Sequence, residues 1–265
     1  MQPIVNGATR LLFIVGDPIA QVRSPLVYNP KIEAHGKNCI LVPLLVPQQD
    51  FEQTIPAIMR LGNLEGLIIT FPFKERIMPF IRHISPDATL IGAVNAVKLN
   101  AHGEWCGDIF DGIGMIRAVQ ALGQTVNGRK ALLYGAGGAG KAIAAALLSN
   151  GADTLTIIDH DHAKAAAIAA VLKQHYPNAS IGCDNRNVQD HDLLINATPV
   201  GMGPNDSHVE WTGTLHAGIT VVDIVPYPIE TPLLALAKQL GCPNTNGQAM
   251  IQGQSDAVLD YFNIG

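Results

Sequence analysis

Leu132-Leu133-Tyr134-Gly135-Ala136-Gly137-Gly138-Ala139-Gly140 is the stretch whose reading decides the fold. A short apolar run, Ala131 to Tyr134, breaks into Gly135, Gly137 and Gly140 at the spacing G-x-G-x-x-G. Lys141 to Leu148 follows as an alanine-rich helix former. Strand, glycine turn and helix in that order form the context a dinucleotide fingerprint requires. Gly135 permits the tight turn, Gly137 lets the backbone approach a pyrophosphate, and Gly140 lets the helix pack closely on the strand. The free N–H groups of the helix start, at Gly138 and Ala139, then face the phosphates.

The next apolar run, Leu155 to Ile158, ends in Asp159, 24 positions after Gly135 (159 − 135). An acidic residue roughly 20 positions on meets the adenosine ribose 2′-hydroxyl in this class of site. A βαβ nucleotide half therefore spans about 129–160. A carboxylate at 159 accepts from a 2′-hydroxyl and repels a 2′-phosphate. With no arginine beside it, NAD is the expected cofactor and NADP the less favoured one.

Working outward, Leu11–Val15, Cys39–Val46, Gly66–Thr70, Leu193–Asn196 and Ile219–Ile224 read as strands. Phe51–Leu61, Ala163–Gln174, Thr231–Leu240 and Gln248–Phe262 read as helices. A further helix is predicted from Lys74 to about His83, and Ile91–Leu99 is predicted to be extended. Ser24-Pro25 reads as an N-cap followed by a helix-starting proline, with Pro30 shortening or kinking that helix. Gly107–Gly112 reads as a turn and Ile113–Leu122 as the helix that bridges two domains. The alternation of strand and helix predicts largely parallel sheets with right-handed crossovers.

Composition fits this picture. The 265 residues are 48% hydrophobic and 15% charged, which describes a chain with a real core. The net charge of −5 and the lack of a basic block argue against a nucleic-acid partner. Four dispersed cysteines, Cys39, Cys106, Cys183 and Cys242, form no C-x-x-C pattern and read as reduced thiols. His160 and His162 are the only close pair of nine histidines, and they read as a solvated helix start, so no metal site is expected. No leader pattern and no membrane-length apolar run is present, so a soluble cytoplasmic protein without a membrane partner is expected. No residue pattern points to an oligomeric state.

The motifs, in order, resemble the shikimate dehydrogenase and quinate dehydrogenase family over nearly the whole chain. They are Gly16-Asp17-Pro18-Ile19 with Ser24-Pro25, Thr70-Phe71-Pro72-Phe73-Lys74-Glu75, Gly92-Ala93-Val94-Asn95, Asp111-Gly112, Asn196 to Met202, Asp223 to Pro232, and Gly247 with Met250 and Gln254. The resemblance implies two α/β domains. One is a substrate domain from 1–112 and 242–265; the other is a Rossmann-type dinucleotide domain from 113–241. It also implies a hydride-transfer oxidoreductase acting on a ring hydroxyl of shikimate or a related cyclic hydroxy acid. Lys74 and Asp111 would be the acid/base pair, Ser24, Thr70, Asn95 and Gln254 would meet the substrate, and Thr198 would join the cofactor residues.

Plainer roles stand beside these. Lys74 can be a solvated lysine at a helix start, and Asp111 can cap the helix that follows while still reacting. Ser24 can be a simple N-cap, Thr70 a strand end, and Gln254 a surface residue. Asn95 lies in an otherwise apolar strand, which argues for a polar role.

The departures from the family are informative. Its opening motif carries S-x-S-P, its lysine block Asn-Val-Thr, its aspartate block Asn-Thr-Asp, and its late motif a tyrosine. This chain has Val22, Ile68, Ile109, Phe110 and Pro226 at those polar positions. Each lost hydrogen bond to a charged group weakens its binding by about 1.5–3 kcal/mol. The expectation is a kept reaction with an altered substrate end, either weak shikimate binding or a bulkier or less acidic hydroxy substrate. A non-catalytic NAD-binding sensor is the remaining reading, and it would need neither Lys74 nor Asp111.

Overall fold

The computed structural model describes residues 5–203 and 207–265. The chain divides into two compact units, 1–110 with 255–265, and 111–254.

The first unit contains β1 (Arg10–Gly16), α1 (Ser24–Ala34), β2 (Cys39–Leu45), α2 (Phe51–Ile58), β3 (Leu64–Ile69), β4 (His83–Ile84), α3 (Pro86–Ile91), β5 (Ala96–Leu99) and β6 (Trp105–Asp108). Its sheet runs β2-β1-β3-β5-β6-β4. β1 pairs parallel with β2 and β3, whereas β5 pairs antiparallel with both β3 and β6, so the sheet is mixed. Val15, Phe51, Ile55, Leu67, Ile69, Phe73 and Val97 form its core, with Phe51 and Phe73 stacked at 4.0 Å.

The second unit contains α4 (Asp111–Ala121), β7 (Lys130–Tyr134), α5 (Gly138–Ser149), β8 (Thr154–Ile158), α6 (His162–His175), β9 (Ser180–Gly182), β10 (Leu193–Asn196), β11 (Thr220–Asp223), α7 (Pro232–Gln239), β12 (Asn244–Asn246) and the start of α8 (Gly247–Tyr261). Its sheet, β12-β11-β10-β7-β8-β9, is parallel throughout. Along β7, Ala131 and Leu133 enter one core cluster and Leu132 and Tyr134 the other. That two-residue period is what a strand covered on both faces requires.

Several expectations change. Lys74 to His83 is not an α-helix: successive turns and a 3₁₀ segment at Met78–Phe80 replace it. Pro79 cannot donate an N–H, and bonds such as Phe80 N–H to the Ile77 carbonyl close only i→i−3 turns. Ile91–Leu99 is extended only from Ala96, because Ser85 caps α3 and Gly92 ends it at φ 67°. Ser24 is the first residue of α1 and not its N-cap; Arg23 holds that position and makes no side-chain cap. Pro30 lies inside α1, and the helix runs through it with Tyr28 and Ile32 buried.

The domain limits shift as well. Asp111 opens α4, and the whole of α4 counts with the second unit. Residues 242–254, assigned from sequence to the substrate domain, belong to the second unit too, because β12 pairs parallel with β11. Only Ser255–Gly265 joins the first unit, where Lys31 pairs with Asp256 at 2.5 Å and Phe262 is buried.

Candidate functional site

Register lines up the carboxyl ends of the second sheet. Ile158, Tyr134, Asn196 and Asp223 stand side by side as the last residues of β8, β7, β10 and β11. From β7 the chain builds β8 and β9 to one side and β10 to β12 to the other. The switch point therefore lies between β7 and β10, the place where open α/β sheets take their ligands. Gly135 and Asp159 follow directly from this rim, and Thr198 stands two residues beyond Asn196.

Gly135 has φ 104°, a left-handed conformation that favours glycine, and its N–H donates to the Ile158 carbonyl at 2.8 Å. A Cβ at Gly140 would overlap the Gly135 carbonyl oxygen, so close packing of α5 on the turn demands glycine. Gly137 precedes α5, is exposed, and has nothing within 4 Å of where its Cβ would stand. Open space beside bare backbone is what an approaching pyrophosphate needs. Gly138 and Ala139 form the first turn of α5. The residues present thus fit a dinucleotide.

Asp159 is buried at the end of β8. The Ala136 N–H donates to its Oδ2 at 2.7 Å and the Asp161 N–H to its Oδ1 at 2.9 Å. The carboxylate therefore ties the second strand to the glycine turn, with lone pairs left for a ribose hydroxyl. The side chain of His160 is 94% exposed, with its Nδ1 2.9 Å from Asp159 Oδ1. Asp161 caps α6 through Ala163 and Lys164 N–H groups. Thr198 donates both N–H and hydroxyl to Asn196 Oδ1, at 3.0 and 2.6 Å. Its methyl lies 3.2 Å from where a Gly135 Cβ would stand, which sets it against the glycine turn.

In the same unit, Asp111 is buried in the first turn of α4, where a negative charge complements the helix dipole. Gly114, one turn on along the same face, packs on α8: a Cβ there would meet the Met250 carbonyl and Gln254 Cβ. Asp111 and the buried Gln254 thus belong to one packed helix pair.

The first unit has its own rim at the ends of β1 and β3. The Thr70 N–H donates to the Val15 carbonyl at 2.9 Å, and the Asp17 N–H to the Phe71 carbonyl at 3.1 Å. Lys74 is half-buried in the turns that follow, and its carbonyl accepts from the Val94 N–H at 2.8 Å. Asn95, next in sequence, is buried; its carbonyl accepts from the Ile69 N–H at 2.8 Å and its Oδ1 from the Phe110 N–H at 3.0 Å. Thr70, Lys74 and Asn95 are thereby joined at one end of β3. Ser24 is buried at the start of α1.

Three residues beyond the predicted set organise the second rim. Asn196, Asp223 and Thr231 are all buried and bonded in series. Their signal in the sequence was polar residues closing apolar strands, with Thr-Pro eight positions beyond Asp223 (231 − 223). Among the described residues no group of three His, Cys, Asp or Glu side chains could hold a metal ion, and no helix is long and apolar enough to cross a membrane.

A doubly wound parallel sheet with this glycine turn defines a dinucleotide-binding protein of the α/β class. Comparison with known proteins gives the family. Residues 14–97 match the shikimate dehydrogenase substrate binding domain and residues 117–231 match shikimate / quinate 5-dehydrogenase. The chain belongs to the shikimate/quinate dehydrogenase family. It is 35% identical over 263 residues to shikimate dehydrogenase (NADP(+)) of Geobacter metallireducens, covering 96% of this chain and 91% of that one. Shikimate 5-dehydrogenase from Listeria monocytogenes, solved with shikimate and NAD, superposes with a TM-score of 0.85 at 26% identity, covering 100% of this chain and 94% of that one. Quinate dehydrogenase from Corynebacterium glutamicum, solved with NAD, gives a TM-score of 0.78 at 31% identity, with 97% and 93% covered.

Proposed function

We propose that the chain oxidises and reduces a ring hydroxyl of shikimate or a similar cyclic hydroxy acid, with NAD preferred over NADP. Nicotinamide, when bound, supplies hydride acceptance and donation. The protein's own residues hold the substrate and move the hydroxyl proton. Lys74 and Asp111 act as the acid/base pair, a contribution of about 10²–10⁴ in rate. Thr70, Asn95, Ser24 and Gln254 hold the ring substituents. Gly135, Gly137, Gly138, Ala139, Asp159 and Thr198 hold the dinucleotide.

The observation that carries the cofactor choice is Asp159. Its carboxylate is buried, bonded to the glycine turn, and flanked by a histidine and a second aspartate. A 2′-phosphate brought there would meet negative charge, whereas a 2′-hydroxyl would find an acceptor. The Geobacter relative is named for NADP(+), while the Corynebacterium quinate dehydrogenase was solved with NAD.

A second reading keeps the reaction and changes the substrate. Ile68 is buried, Ile109 packs against the first unit's core, and the Phe110 ring lies 5.4 Å from that of Tyr261. Positions that are polar in the family are spent on packing here, which favours a less acidic or bulkier hydroxy compound. Measuring kcat/KM for shikimate, quinate and neutral cyclic polyols with each cofactor decides both points. Higher efficiency with NAD is expected; a preference for NADP sinks the cofactor reading, and turnover of neutral polyols alone replaces the acid substrate.

A further inference from the structure

Asp223 is 0% exposed, yet among the described residues its bonding partners are all uncharged. Asn196 Nδ2 donates to its Oδ1 at 3.0 Å and the Val225 N–H to the same oxygen at 3.1 Å. The Thr231 hydroxyl donates to its Oδ2 at 2.6 Å. Burial raises its pKa above the ordinary carboxylate value, against the pull of these three donors. Burying this carboxylate carries a desolvation cost, which the three hydrogen bonds offset.

The bonds lead from Asp223 to the cofactor rim by two routes. Asn196 uses both amide hydrogens, on Asp223 and on the Val200 carbonyl at 2.9 Å, and its Oδ1 receives the Thr198 N–H and hydroxyl. Its amide orientation is thereby fixed: turned over, it would present donors to donors. On the other route, Thr231 caps α7 through the Leu234 N–H and backs the same loop. A Cβ at Gly201 would stand 3.4 Å from Thr231 Cβ. Thr198, where the first route ends, lies against Gly135, and the second route reaches the same loop at Gly201.

We propose that Asp223 is a positioning residue for the dinucleotide. Through Asn196 and Thr231 it holds Thr198 and the 197–201 loop against the glycine turn in the form that accepts the cofactor. This rests on the cofactor site described above and adds the device that shapes it. The carboxylate suits the task because it is acceptor-only and can face three donors at once, which no amide can do.

The test measures NADH and NADPH affinity by fluorescence titration of the full chain, with Tm and circular dichroism as fold controls. Thr231→Val removes one donor to Asp223, Thr231→Ser keeps it, and Asp223→Asn turns one acceptor into a donor. The expected result is a Kd about tenfold weaker for Thr231→Val, within about twofold of the parent for Thr231→Ser, and weaker again for Asp223→Asn. Should Asp223→Asn fail to fold, the threonine pair decides alone. Folded Thr231→Val and Asp223→Asn proteins with parental Kd overturn the proposal. A parent that binds neither nucleotide overturns the cofactor reading beneath it, a separable outcome.

Discussion

The two units solve similar problems with different materials. Each has a six-stranded sheet with a point where strand order reverses, between β1 and β3 in one and between β7 and β10 in the other. In the second unit the rim is built from backbone: a glycine turn, a helix start, and a carboxylate bonded to main-chain N–H groups. In the first unit Thr70, Lys74 and Asn95 stand on turns joined by main-chain hydrogen bonds, and the groups proposed to meet substrate there are side chains. A backbone site is specified by where side chains must be absent. A side-chain site is specified by single residues whose replacement leaves the fold intact. This is why Val22, Ile68, Ile109 and Phe110 can depart from the family pattern while β1, β3 and their core persist.

Lys74→Ala is expected to lower kcat by about 10²–10⁴ while leaving NADH affinity and Tm near parental values, because the side chain is only half-buried. Equal loss of NADH binding would mean that the two rims do not divide the labour as stated.

A glycine pair gives the next effect. Gly140→Ala drives a methyl into the Gly135 carbonyl and should destabilise the chain by about 1–3 kcal/mol, read in urea unfolding. Gly137→Ala enters open space and should leave stability unchanged within about 0.5 kcal/mol, yet weaken dinucleotide binding. Two alanines three positions apart would thus separate fold from ligand, and matching stability losses would refute the distinction.

The smallest effect lies on the surface of the first unit. Arg76 pairs with Glu52 at 2.5 Å and lowers the Glu52 pKa. A lowered carboxylate contributes stability above its unfolded pKa and loses it as pH falls through the folded value. Glu52→Gln should therefore slightly reduce the Tm difference between neutral and acidic solution. An unchanged or larger difference would count against the pair. The exposure of Glu52 to solvent keeps the effect small.

Legibility in the sequence follows the same division. The elements from β7 to β8 stand where the apolar runs and glycine spacing predict them, as do β10, β11 and α7, because each is set by residues within a few positions of itself. The stretch from Lys74 to His83 misled, since its apolar residues have helical spacing but Pro79 breaks the hydrogen-bond ladder. β9 and β12 are three residues each, too short for a period to show, and exist because a neighbouring strand offers its edge.

By itself, then, the sequence determined the glycine turn, the acidic Asp159 at the end of the next strand and the α/β alternation, for spacing and hydrophobic period are local quantities. Tertiary structure alone decided that 242–254 joins the second sheet, that Asn95 holds the Phe110 N–H, and that Asp223 reaches Thr198 through Asn196. The Asn95–Phe110 and Asn196–Asp223 bonds join residues 15 and 27 positions apart, and β12 is added to the edge of β11. Their partners are fixed by sheet register and burial, which no short window of sequence contains.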